Sequence, residues 1–180
     1  MSKIGRKPID VSKVTINVQG NAIAIKGPKA ELKHELPACL VAHVDQETKK
    51  IVLSVTENTR QNRMLWGMHR AVLANKIKGA GTGLEQKVKL VGLGFKGQVV
   101  GSKIVFTVGY SHKVEVEIPK GITLELDKTG QLITVRGADR FVIGNLCDAM
   151  RSVRPPEPYK GTGIMLDDEV IIRKAGKTKS

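Results

Sequence analysis

The sequence predicts an α+β protein: two tandem copies of one small domain, each a mostly antiparallel sheet packed against one α-helix. Three observations carry this reading. The 180-residue chain matches itself at an offset of 82 residues. Within each copy, apolar residues alternate with polar ones, as in strands that bury one face. Each copy then changes to helical spacing.

The self-match needs no gap from Gly27 to Gly81. Gly27 falls on Gly109, Glu35 on Glu117, Pro37 on Pro119, Asp45 on Asp127 and Ile51 on Ile133. Met68 falls on Met150, Lys78 on Lys160, Gly79 on Gly161 and Gly81 on Gly163. "ELKHELP" (Glu31–Pro37) lies on "KVEVEIP" (Lys113–Pro119), so pattern and punctuation are shared. The period is far longer than that of solenoid repeats, which points to duplication of a domain and not to an array. Residues 1–82 form the first repeat and 83–165 the second, with 166–180 a basic tail.

In the first copy Val14, Ile16 and Val18 alternate, followed by Ile23 and Ile25, Leu32 and Leu36, then Ile51, Leu53 and Val55. Short links such as "VQGN" and "DQETKK" predict hairpins. A helix follows, with Leu65, Met68, Val72 and Leu73 as its expected apolar stripe. The second copy repeats the order with Ile104, Phe106 and Val108, Val114, Val116 and Ile118, Leu124 and Leu126, then Ile133 and Val135. Its helix has Ile143, Leu146, Cys147, Met150 and Val153 on one face, and Pro155 and Pro156 end it. "GAGTG" (Gly79–Gly83) reads as the linker between the copies.

Thirty Lys and Arg against 17 Asp and Glu give a net charge of +13, which points to a polyanionic partner. Aromatic residues are only 3%, too few for rows of stacking rings, so phosphate-backbone and shape recognition fit better. The two cysteines, Cys39 and Cys147, lie in apolar surroundings, and a reducing compartment is expected. No run approaches the roughly 18 apolar residues that span a bilayer. No secretory leader is recognisable, and a cytoplasmic protein is expected.

Catalytic patterns are weak. "GLGFKG" (Gly92–Gly97) matches the dinucleotide fingerprint, but a strand-like segment follows it where a helix is required. The reading favoured there is a glycine bulge in a twisted strand, with a backbone approach to RNA beside Phe95 and Lys96 as the alternative. The four histidines show no metal-ligand spacing, and His34 lies on the apolar face of a strand. No serine or cysteine stands in a nucleophile elbow. The expectation is no enzyme, no metal, no cofactor and no small-molecule substrate.

The segment "RPPEPYKGTG" (Arg154–Gly163) is chemically dense. Pro155, Pro156 and Pro158 favour polyproline geometry, so an arm there loses little entropy on docking. Tyr159 can stack or donate, Lys160 can neutralise a phosphate, and Gly161 and Gly163 admit an anion to the backbone. Glu157 weakens a reading as a peptide ligand for an adaptor domain. RNA contact, a plain loop and a peptide ligand stay open from the residues alone. Arg151 adds a cation on the helix, and Lys174 and Lys177 lie in the basic C-terminal "IIRKAGKTKS".

The stretch "VRGADRFVIGNLCDAMRSVRPPEPYKGTGI" (Val135–Ile164) closely resembles the signature of the bacterial large-subunit ribosomal protein L6 family. "LVGLGFKG", "GYSHKVEVEIP" and "SKIGRKPI" sit where that family has similar segments, so the resemblance covers nearly the whole chain. It implies a non-enzymatic constituent of the large ribosomal subunit, partnered by ribosomal RNA and neighbouring ribosomal proteins. It further implies a place near the base of the stalk that recruits GTPase translation factors. Carried over by position, Arg154, Pro155, Glu157, Pro158, Tyr159, Lys160, Gly161 and Gly163 form the main RNA-binding element. Pro156 and Thr162 belong to the same stretch but depart from the family pattern, standing in the places of an arginine and a lysine. "IMLDDE" (Ile164–Glu169) lacks the usual basic-aromatic pair. The competing readings are a free RNA-binding or RNA-modifying protein and a free protein-interaction module whose proline arm is the ligand of a peptide-recognition domain.

Overall fold

The computed structural model describes residues 2–45 and 48–177. The chain divides into two compact units, one reaching to Leu84 with Ala138–Arg140 added, the other comprising Glu85–Gly137 and Phe141 onward.

The first unit contains β1 (Ile9–Asp10), β2 (Thr15–Gln19), β3 (Ala22–Lys26), β4 (Glu31–Glu35), β5 (Leu40–Asp45), β6 (Lys50–Val55) and α1 (Arg60–Gly81). Its strands make two three-stranded sheets, ordered β1-β6-β5 and β2-β3-β4. The second contains β7 (Leu84–Val91), β8 (Lys96–Val100), β9 (Lys103–Thr107), β10 (Val114–Glu117), β11 (Ile122–Leu126), β12 (Leu132–Gly137), α2 (Arg140–Val153) and β13 (Gly163–Leu166). Its sheets are β10-β9-β8 and β11-β12-β7-β13. The internal match therefore extends to the sheets, element for element, with β13 as the addition.

Each repeat has two sheets where the alternation alone reads as one. The shared prolines mark the break. Pro37 lies between β4 and β5, and Pro119 between β10 and β11. Proline has no amide to continue a ladder, and the chain changes sheets there. The following hairpins keep the offset in their register: Val44 pairs with Ile51, and Leu126 with Ile133. Residues 46 and 47 of the first of these links lie outside the described residues.

In the first unit, Ile23 and Ile25 from β3, Ile51 and Leu53 from β6, and Leu73, Ile77 and Ala80 from α1 are buried together. Trp66 packs at the edge and donates its indole N–H to the Leu53 carbonyl at 2.8 Å. The core face of α1 therefore runs through Trp66, Leu73, Ala74, Ile77 and Ala80. Of the expected stripe, Leu73 is fully buried, Leu65 is half-buried, and Met68 and Val72 are exposed. The helix carries apolar residues on two faces, and packing against the sheet selects the one with the indole anchor. Thr59 caps it, accepting from the Asn62 amide at 3.2 Å.

The expected linker at Gly79–Gly83 is also corrected. Gly79, Ala80 and Gly81 form the last turn of α1, and β7 begins at Leu84. At this end α1 approaches the turn after β3 closely, which requires a glycine at Gly27. The Lys29 amide bonds the Ala80 carbonyl at 3.0 Å, and a side-chain carbon on Gly27 would stand 2.3 Å from that oxygen.

The second helix follows its prediction: Ile143, Leu146, Cys147 and Met150 are buried, and Val153 is half-buried. It stops at Val153 because Pro155 biases Arg154 away from helical geometry. Where α1 continues to Gly81, the second copy is thereby released to form a loop.

Candidate nucleic-acid interface

The segment after α2 is a closed loop, not the extended arm that its prolines predict. The chain leaves the helix at Arg154, turns at Pro158–Lys160 and returns at Gly163 into β13. Four hydrogen bonds close it. The Ile164 amide donates to the Arg154 carbonyl at 2.8 Å, and the Glu157 amide to the Thr162 carbonyl at 3.0 Å. The Gly161 amide donates to the Glu157 carbonyl at 3.1 Å, and the Thr162 hydroxyl to the Glu157 carboxylate at 2.7 Å.

Two glycines permit this path. Gly161 has φ +72°, a left-handed conformation that a Cβ disfavours. Gly163 has φ +150°, and a Cβ there would stand 2.5 Å from the Pro156 Cα and 2.7 Å from the Pro155 carbonyl oxygen. Both glycines are buried, and the Gly161 amide is occupied. Their part is to close the loop on Pro155 and Pro156 instead of exposing backbone to an anion. Pro158 is exposed, and its carbonyl accepts from the Lys174 amide at 2.8 Å, which ties the tail to the tip.

Arg154 anchors the base. Its guanidinium lies over the rings of Phe95 and Tyr110, at 5.2 Å and 5.3 Å from their centroids, and donates to the Val108 carbonyl. Tyr110 in turn donates its hydroxyl to the Val153 carbonyl at 3.1 Å. Half-buried between two π faces, this cation holds the loop root against β9.

Phe95 reaches that position through a tight turn, Gly92–Phe95, between β7 and β8. Its amide bonds the Gly92 carbonyl at 3.3 Å, and Gly94 has φ +73°. "GLGFKG" is thus a reverse turn and not a strand bulge, and a strand follows where the dinucleotide fingerprint needs a helix. Lys96, next to Phe95, is exposed beside an open groove of about 620 Å³ that also has Lys128 and Thr129 on its wall.

Arg151 is already partnered. Glu169 takes it in two-pronged fashion, at 3.0 Å to Nε and 2.6 Å to Nη2. That bond lowers the Glu169 pKa and raises that of Arg151. The free cations at the tip are others. Lys160 is exposed, and Tyr159 beside it is 56% exposed; neither makes a polar side-chain contact among the described residues. Lys174 and Lys177 are exposed in the tail, whose last three residues lie outside the described residues.

Three residues of the site escape local sequence reasoning. Arg173 places its guanidinium 3.3 Å from where a Gly161 side chain would begin. Tyr110 stacks on His112 with centroids 6.0 Å apart and backs Arg154. Glu169 neutralises Arg151. An aromatic in so ring-poor a chain was the available signal for Tyr110; pairing at a distance left none for Glu169. Cys147 is buried, and burial pushes its thiol up to about 11, outside the nucleophilic range.

The fold and the loop define a class: a basic protein of two α+β repeats, the second bearing a hydrogen-bonded loop tipped by an aromatic and a cation. The family model described as ribosomal protein L6 matches residues 12–83 and 91–166, one match per repeat. A large ribosomal subunit protein uL6 of Syntrophomonas wolfei is 43% identical over 178 residues, covering 98% of both chains. The proteins of that name from Gloeothece citriformis and Synechococcus sp. strain CC9605 are 40% and 42% identical over 179 residues, covering 99% of this chain and 98% of theirs. The chain belongs to the ribosomal protein L6 family, structural and non-enzymatic constituents of the large ribosomal subunit.

Proposed function

We propose that the closed loop of residues 154–163 is the main contact of this chain with large-subunit ribosomal RNA, near the base of the stalk that recruits GTPase translation factors. The observation that carries the reading is the contrast within the loop. Its base is satisfied internally by four hydrogen bonds, while Tyr159 and Lys160 stand exposed at its tip with no polar side-chain partner among the described residues. Such a loop is ordered before it binds, so docking forfeits little conformational entropy.

Roles then divide. Lys160 neutralises a phosphate and Tyr159 stacks or donates. Arg154, Glu157, Thr162, Gly161 and Gly163 hold the loop, with Phe95 beneath Arg154 and Pro155 and Pro156 against Gly163. Lys96, Lys174 and Lys177 extend the positive field, and Arg151 fixes the tail through Glu169. Specificity comes from the tertiary shape of the RNA. The first repeat, in which α1 continues to Gly81 at the corresponding position, takes the smaller share of RNA contact.

Binding of the full chain to a large-subunit rRNA fragment tests this. Lys160→Ala is expected to weaken binding by about 1–2 kcal/mol, a charge-assisted contact. It should also flatten the slope of log affinity against log salt by about 0.7–0.9, one phosphate contact. An unchanged affinity and an unchanged slope would remove the loop from the interface.

A further inference from the structure

The helix of the first repeat has an outer face that its core does not use. Met64, Met68 and Val72 recur at i, i+4 and i+8 on the side opposite Leu73 and Ile77, with exposures of 62%, 51% and 37%. Exposed Ala71 lies in the same stripe. A row of large apolar side chains on one face is unexplained by helix stability and marks a contact surface. Methionine suits such a surface because its unbranched, polarisable side chain adapts to a partner.

Charge decides what the partner is. The 22 residues of α1 contain no Asp or Glu. Arg60 and Lys78 lie on the same outer face, one at each end, exposed and without polar side-chain partners among the described residues. Their Cα atoms stand about 27 Å apart along the axis. A second copy of this chain is a poor match, since apposed helices would bring like charges together. RNA would satisfy the cations but would leave two methionines and a valine against phosphates, with their apolar surface unrewarded.

We propose that this face docks an acidic segment of another protein of the large subunit: an apolar strip about five turns of helix long, with carboxylates toward both ends. The strip buries Met64, Met68 and Val72, and the carboxylates meet Arg60 and Lys78. This proposal rests on membership of the large subunit and not on the loop. Loop variants change RNA affinity and leave the α1 contact in assembled particles untouched.

Two footprints on intact large-subunit particles test it. Dilute hydrogen peroxide oxidises exposed methionines, and buried Met150 serves as internal reference. Oxidation of Met64 and Met68 is expected to be slower in the particle than in the free protein by about fivefold or more. A zero-length carbodiimide is expected to join Lys78 to an Asp or Glu of a different polypeptide. Equal oxidation in particle and free protein overturns the proposal. So does protection accompanied by photo-cross-linking of α1 to RNA and no carboxylate link, or a link between two copies of this chain.

Discussion

Replacing Thr162 with valine removes one hydroxyl and preserves shape. The hydroxyl donates to the Glu157 carboxylate at 2.7 Å and is the only side-chain bond among the four that close the loop. A hydrogen bond to a charged group contributes about 1.5–3 kcal/mol, and partial exposure of both residues reduces this to about 1–2 kcal/mol. That energy is lost from the closed loop and not from either domain core. Amide hydrogen exchange at Gly161 and Ile164, whose N–H groups close the loop, should accelerate about 5–30-fold, whereas exchange in β9 and β12 stays as before. If the closed loop is the RNA-competent form and opening becomes comparable to closing, affinity falls by less than that factor. Its salt slope is unchanged because no cation is removed, in contrast to Lys160→Ala. Unaltered exchange at Gly161 and Ile164 would show that Thr162 does not hold the loop and would refute the assignment of its role.

Gly163→Ala should destabilise the loop and its entry into β13, by about 1–3 kcal/mol, because the new carbon meets backbone at 2.5 Å and cannot be relieved by rotating a side chain. Loss of exchange protection at Ile164 and Met165 checks it. In the first repeat, buried His34 lies 3.2 Å from His69, and burial, then the Lys76 charge, then His69 depress its pKa to about 4. The His69 pKa is lowered by burial as well. Between about pH 6.5 and 4 the unfolded chain binds protons that the folded one refuses, so stability is full above 6.5 and falls as pH drops through this window. The loss reaches about 2–3 kcal/mol. Urea midpoints from Trp66 fluorescence report the first repeat alone, since Trp66 is the single tryptophan. His34→Leu should flatten their decline between pH 7 and 4.5; an equally steep decline in the variant would exclude His34 as its source.

Much of this architecture was legible without coordinates. The offset predicts two like units, and the strands of both follow it into their sheets. The face of α2 was readable because Ile143, Leu146, Cys147 and Met150 fall on one stripe, with Phe141 outside it at the helix start. The end of α2 followed from Pro155, whose effect on the preceding residue is local. These features depend on backbone periodicity and on neighbours in sequence, which any reader of the chain possesses.

Tertiary structure decided the rest. The phase of α1 was set by a sheet that takes Trp66 and Ile77 inward and leaves Met64 and Met68 outside, and apolar spacing on two faces cannot choose between them. The prolines of 154–163 indicate stiffness, but closure depends on Thr162 meeting Glu157, on Lys174 meeting Pro158 and on Gly163 passing beneath Pro156. Arg151 and Arg154 look alike in sequence; one is neutralised by a carboxylate 18 residues away and the other is held between two rings brought by the β9–β10 connection and the β7–β8 turn. Charge and period belong to the residue, whereas partnership belongs to the fold, because a hydrogen bond or ring contact requires that distant segments meet within a few ångströms.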